Sequence, residues 1–500
     1  MEKHKYLYGV SIQGIQSFIF QTNELKDIVG ASELVEKVCR EKFQQLFEKE
    51  GVGYKPENLV MAAAGNIKYV FESVDDCEKI VRVLPKEIME MATGITVSQA
   101  VVMLEEDDDG TFGEGVKKLE KKLKEQRNRP MPSMTVGMTA MARSPKTGLP
   151  AVCNKKGNLM DEATAQKQSE SEAANNALAR KVFGENVDNG KVAYNIDHMT
   201  DKNDWIAIIH IDGNSLGKVV SKIGNDRKAF SKFSRGLSVC TEASAVTAYN
   251  AVKPNFKNSK KIPIRPIVLG GDDHTLICRA DLAMNYARTF IETFEVQTGE
   301  KLQEVLALAG LDRLTACAGI AFIKSSYPFY FGYDLSEALC KKAKKTTANE
   351  PVQLSSIMFH KVQDSFVESF DDIAKRELIV NDNESFMFGP YFVNCEAPQG
   401  YVRIEEFGRL FKLIKEDDKG GAAKSHLRQW LSVMIENVDA AEQKKDRLLQ
   451  TLSTSKELKT ELEKLTRGVK RGNKTHYMVY DLLSLHSVTY QQTKQKEEKA

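Results

Sequence analysis

Hydrophobic positions along the chain fall into short apolar runs separated by longer helical stretches. Residues 205–212 read WIAIIHID, a continuous apolar run that ends in an acid, the pattern of a strand buried on both faces. Gly213 follows, then a segment of helical period (LGKVVSKI and AFSKFSRGLSVCTEASAVTAYNAV). IPIRPIVL and HTLIC flank Gly270-Gly271-Asp272-Asp273 and read as a hairpin, because glycine tolerates the backbone angles of a tight turn. A helical stretch (LAMNYARTFIETFEVQ), a strand (TACAGIAFI) and a helix (DLSEALCKKAKK) complete a β-α-β-β-α-β-α order, the split βαβ or ferredoxin-like pattern.

The first hundred residues repeat that plan. KYLYGVSI predicts a strand, a helical run extends to about residue 48, LVMAA and IKYVFES predict a hairpin around Ala64-Gly65-Asn66, and TGITVSQAVVML predicts a last strand. Ile12-Gln13-Gly14 overlays Ile211-Asp212-Gly213, and Ala63-Ala64-Gly65-Asn66 overlays Gly270-Gly271-Asp272-Asp273. The offset changes slightly between the two turns, which a loop insertion absorbs. The pattern predicts a duplicated fold whose first copy has lost every acid: Gln13 stands for Asp212, and Gly65 and Asn66 for the aspartate pair.

Between the copies, EEDDDG and the Lys/Glu-rich VKKLEKKLKEQR predict a solvated linking helix, and residues 131–200 read as irregular and polar. After a short strand region (SFMFGPYFV), the rest of the chain turns helical. The expected class is α+β. The expected divisions are a first ferredoxin-like domain over residues 1–108, a linker region over 109–200, a second ferredoxin-like domain over 201–350 and a mostly helical domain over 351–500.

Composition narrows the function classes. Lys+Arg (71) and Asp+Glu (69) nearly cancel, so a basic nucleic-acid groove would have to be local. The eight cysteines include no Cys-x-x-Cys pair, which argues against a zinc knuckle or a thioredoxin-like motif. No apolar run reaches the roughly 20 residues of a membrane span, and no signal-peptide pattern opens the chain, so a cytoplasmic protein is expected.

In a split βαβ sheet the first strand lies beside the strand leaving the hairpin. Asp212 is therefore expected next to Asp272 and Asp273. Three carboxylates that close repel and raise each other's pKa unless a cation sits between them. Hard oxygen ligands suit Mg²⁺ or Mn²⁺. Two such ions can align an attacking hydroxyl and a leaving phosphate, and Gly270 and Gly271 leave room for a triphosphate. His210 and His274 flank the acids, within reach of a nucleotide, and on alternating strand positions a packed or partly exposed place is the simpler reading for both. Trp205 and Trp430 are expected in the core or at partner contacts.

Taken together, GIQSFIF, GASELV, HIDGNSLGK, VLGGDDHTLIC, AGIAFIKSSYPFY and SEALCKKAK resemble the Cas10 or Cmr2 family, the large subunits of type III CRISPR complexes with two palm domains. The resemblance spans most of residues 8–345 and implies a degenerate first palm and a second palm that makes cyclic oligoadenylates from ATP. It assigns Asp212, Asp272 and Asp273 as catalytic metal ligands. It also places Gly213, Asn214, Ser215, Gly270, Gly271 and Lys344 around the nucleotide, with Lys344 as a phosphate contact. Asn214 stands where many relatives keep a second acid. No His-Asp dipeptide occurs, so the nuclease activity of many relatives is not expected, and Cys153 alone remains of a knuckle-like segment. Guide or target RNA and other CRISPR-type subunits are the implied partners, with a homo-oligomer left open. Two other readings stand beside this one. A cyclase making a dinucleotide from GTP is disfavoured because its motif ends in Glu-Phe rather than Asp-His. A non-catalytic, nucleotide-binding scaffold subunit is the alternative from outside enzymology.

Overall fold

The computed structural model describes residues 4–63, 65–104, 112–129, 140–155, 157–173, 176–200, 205–224, 226–348, 353–364, 369–416, 420–451 and 456–498. The strands are β1 (Lys5–Gln13), β2 (Leu59–Ala63), β3 (Asn66–Phe71), β4 (Thr96–Leu104), β5 (Cys153–Lys155), β6 (Asn158–Met160), β7 (Trp205–Gly213), β8 (Ile264–Gly270), β9 (Asp273–Arg279), β10 (Ala316–Lys324), β11 (Ser356–Lys361), β12 (Glu384–Ser385), β13 (Tyr391–Phe392), β14 (Val469–Arg471) and β15 (Lys474–His476).

The first sheet runs β2-β3-β1-β4 and the core of the second runs β8-β9-β7-β10. Both are antiparallel at every pairing, so the two copies share one topology, and the central strand of each ends at the turn singled out in the sequence. The second sheet is extended by β11, parallel to β10, and by β13. The run IIHID lies in a central strand flanked on both sides, which accounts for its continuous apolarity.

The two faces of the second sheet do different work. Helices Arg227–Val252 and Ala283–Lys301 pack on each other, and Tyr286 and Phe290 of the latter meet His274 of β9. Helix Phe329–Thr346 lies along β10, β7 and β11, with Tyr333 against His210. That helix approaches β10 so closely that a Cβ at Gly319 would run into the carbonyl oxygen of Ser336 and the amide of Cys340.

Three expectations change. Helix Phe112–Arg127 is not simply a solvated linker. Its stripe Phe112, Val116, Leu119 and Leu123 is buried on the face of the first sheet that carries Leu7, Val70 and Val102, and Phe230 of the second copy joins the same cluster. Lys/Glu density had hidden a stripe of helical period. The supposedly irregular 131–200 region holds helices Glu162–Ala173 and Ala177–Phe183 and the β5–β6 hairpin, on which Cys153 is exposed. The C-terminal part adds β11 and the small β12-β15-β14 sheet to its helices. Residues 131–139, 156, 174–175 and 201–204 lie outside the described residues, as does Ala64 of the first hairpin. Trp205 and Trp430 are both buried.

Gly319→Ala should cost about 3 kcal/mol or more, because backbone atoms cannot yield cheaply. Gly332→Ala, on the helix itself, meets only the ends of the Ile208 and Ile323 side chains and should cost less. Denaturant melts of the two variants check this ordering.

Candidate active site

Period-two geometry decides which side chains meet. On β7, His210 and Asp212 point to one face; on β9, Asp273 and Thr275 do the same opposite them, in the register His210↔Thr275 and Ile211↔His274. One donor atom each from His210, Asp212 and Asp273 lies within 4.8 Å of the others. Asp272 occupies the hairpin tip, after Gly271 at φ +62°, and its Cβ lies so near Gly213 that a side chain there would collide with it. Thr241 Oγ1 donates to the Gly271 carbonyl at 2.6 Å and ties the turn to helix Arg227–Val252. The structure thus brings together Asp212, Asp272 and Asp273, as the sequence predicted, and adds His210.

The electrostatics follow from this crowding. Burial first, then the charges of Asp273 and Asp212 and a hydrogen bond to Asp212, push the Asp272 carboxyl up to about 8. Burial and the charge of Asp212 push Asp273 up to about 7, against the opposing pull of Lys344. Lys344 Nζ lies 2.5 Å from Asp212 Oδ2 and 2.7 Å from the Gly213 carbonyl oxygen. Burial works to lower its pKa, but the Asp212 charge and hydrogen bond prevail and raise it. An ammonium therefore sits where the acids call for a cation. The donor set fits a divalent metal: carboxylates that resist ionising together, one already drawn to the nearest positive charge.

Asn214 and Ser215 do not present free side chains beside the acids. The Asn214 amide is buried and donates to Thr315 Oγ1 at 3.0 Å and to the Leu354 carbonyl. Ser215, at φ +63°, donates to Gln353 Oε1 at 3.2 Å. Gly213, Gly270 and Gly271 line the backbone around Asp272. His274 faces the other way. Both its ring nitrogens are used, on the Val268 carbonyl at 3.0 Å and the Tyr286 hydroxyl at 2.9 Å, and burial lowers its pKa to about 4.

Two participants were missed in the sequence. Tyr333 stacks on Phe20 at 4.7 Å, accepts from Gln16 Nε2 at 2.6 Å, and so joins the two copies beside the acids. Glu337, one helical turn on, adds negative charge that raises Asp273. Spacing along the helix (Tyr333, Glu337, Lys341, Lys344) was the available signal. A cavity of about 330 Å³ lies between the copies; Gln13, Gln16 and Asn66 line one side and His210, Asp273 and Tyr333 the other.

A duplicated palm fold with its acids in only one copy defines the class. Residues 205–352 match the Cas10/Cmr2 second palm domain. That stretch is what this chain shares with the family model. No curated protein sequence matches the chain. Among solved structures it resembles the Csm1-Csm4 cassette in complex with pppApApA (TM-score 0.58, 14% identity, 98% of this chain and 70% of that one). It is similar in the same way to the cassette in complex with cA3 (TM-score 0.57, 14% identity, 98% and 70%) and with cA4 (0.54, 12%, 98% and 69%). Likeness at this identity carries the fold. Among the described residues, no helix is long and apolar enough to cross a membrane.

A group whose folded pKa is raised destabilises the fold once pH exceeds the unfolded value. Relative to ordinary aspartates near 3.9, the pair costs nothing at low pH and progressively more as pH rises through 7 to 8. In the presence of a chelator, wild type should lose stability between about pH 5 and pH 8.5 more steeply than an Asp272→Asn/Asp273→Asn variant. At the alkaline end the variant should melt higher, by on the order of 2 °C. Thermal melts across that range decide it, and parallel curves would count against the burial of paired charge.

Proposed function

We propose that the chain is a metal-dependent nucleotidyltransferase that joins ATP into a cyclic or linear oligoadenylate. The observation that carries the reading is the meeting of Asp212, Asp272 and Asp273 at a palm hairpin, where burial and their mutual charge raise the carboxyls of the pair. The complexes of the structurally similar cassette with cA3, cA4 and pppApApA support ATP-derived substrates and products.

In the reaction the 3′-hydroxyl of one nucleotide attacks the α-phosphorus of another, the bond to the β-phosphate oxygen breaks, and pyrophosphate leaves. Mg²⁺ or Mn²⁺ bound by the three aspartates would activate the hydroxyl and neutralise the charge that develops on phosphate. Asp212 touches Asp272 on one side and faces Asp273 on the other, so the three together would hold the cation. Lys344, held by the Gly213 carbonyl and paired with Asp212, is placed as a point charge for a phosphate oxygen. Gly270 and Gly271 let the triphosphate approach the turn. The cavity between the copies offers room for a base beside His210 and Tyr333. A role as subunit of an RNA-guided complex is compatible with this chemistry and follows from the family resemblance.

Incubation with each labelled nucleoside triphosphate, Mg²⁺ or Mn²⁺ and RNA should give phosphatase-resistant oligonucleotide from ATP. The Asp272→Ala/Asp273→Ala variant should make at least about 10²-fold less. Nucleotide binding equal in both proteins, with no product from any triphosphate, would instead assign the chain as a non-catalytic scaffold.

A further inference from the structure

The acids account for the oxygen donors of the site but leave His210 unexplained. This side chain is only 7% exposed, yet it lies on the cavity wall rather than in the packed core. Its Nδ1 is 3.1 Å from Thr275 Oγ1, its ring meets Tyr333 edge-on with centroids 5.8 Å apart, and one of its nitrogens belongs to the same 4.8 Å cluster as Asp212 and Asp273. The neighbouring His274 is an internal contrast. Its two nitrogens are both bonded to protein, and it has no donor to offer. The buried threonine hydroxyl orients the ring through Nδ1, and in the tautomer in which Nδ1–H donates to it, Nε2 keeps its lone pair, the arrangement in which histidines bind metals.

We propose that His210 is a metal ligand, completing with Asp212 and Asp273 a mixed nitrogen–oxygen site that selects a first-row transition cation such as Mn²⁺ or Co²⁺ over Mg²⁺. The selection follows from donor chemistry. Mg²⁺ keeps to oxygen ligands and water, whereas imidazole binds the later cations progressively better. Thr275 is the positioning residue, fixing the ring from behind. The inference rests on the reading of Asp212 and Asp273 as metal ligands and adds which metal they hold.

The decisive measurement is pulsed EPR of the Mn²⁺-loaded full chain, with metal affinities by titration calorimetry for Mn²⁺, Co²⁺ and Mg²⁺. Wild type should show ¹⁴N modulation from a directly bound imidazole. In His210→Ala the modulation should vanish and Mn²⁺ and Co²⁺ affinity should fall at least about tenfold, with Mg²⁺ affinity little changed. Thr275→Val, which keeps the imidazole, should retain the modulation and lose less affinity. The wild-type spectrum decides the matter even where His210→Ala fails to fold. Mn²⁺ bound without nitrogen modulation, and lost in Asp273→Asn, would overturn the histidine ligand while leaving the aspartate site intact. No binding of any divalent cation by wild type would overturn both.

Discussion

Repulsion among three carboxylates at the end of one sheet is the constraint around which the second palm is arranged. Asp212, Asp272 and Asp273 are held together by strand register and by a two-residue turn, neither of which can relax without unpairing β7, β8 and β9. The fold therefore meets the charge by other means. Protons stay on the pair well above the usual carboxylate range, and Lys344 is brought to Asp212. The lysine reaches that point because its helix can lie almost on the backbone of β10, and the helix lies there because position 319 has no side chain. A bare backbone at one strand position thus sets where a positive charge stands several residues away. The same helix carries Tyr333 and Glu337, so the spacing of one helix fixes the positive, aromatic and negative neighbours of the acids together.

The first palm meets the acids with uncharged residues. Gln13, Gly65 and Asn66, which the sequence overlay sets against the three acids, line the shared cavity without adding to the repulsion. Contact between the copies is polar as well as apolar. Ser32 donates to the Ile267 carbonyl. Arg265 on β8, 1% exposed, bonds to Asn176 Oδ1 at 3.0 Å, lies over Tyr194 and pairs with Glu33 at 3.7 Å. Glu33 also accepts from the Ala177 amide, and burial raises its pKa against the pull of Arg265. A buried ion pair contributes little net stability, but losing one partner leaves a charge stranded. Such a contact fixes how the copies sit against each other more than how firmly they fold.

Much of this was legible in the sequence for a simple reason. Strand ends and tight turns leave strong local marks, and WIAIIHID, GGDD and their neutral counterparts in the first copy carry them. The meeting of Asp212 with the pair followed from topology alone. What was illegible depended on long-range packing. The stripe Phe112, Val116, Leu119, Leu123 was diluted by lysine and glutamate, and β11 is a six-residue strand whose role as an added parallel neighbour no local pattern announces. Tyr333 and Glu337 looked like ordinary helix residues, since only the approach of their helix to β7 brings them to the acids. Strand parity separates His210 from His274, but the acids' face is decided by which helices cover the other.

The residues on either side of Asp212 act together. Family resemblance expects a second acid at position 214, yet the Asn214 amide is turned into the protein, where it ties the end of β7 to Thr315 and Leu354. An aspartate in that pocket could not donate to either carbonyl or hydroxyl and would add a fourth buried charge. On the other side of Asp212, two residues back along the strand, His210 supplies a neutral donor to the same cluster. The side chain at 214 thus adds no charge to the site, and the imidazole at 210 stands beside the acids without one, so the cluster holds less repulsion than a further carboxylate would create.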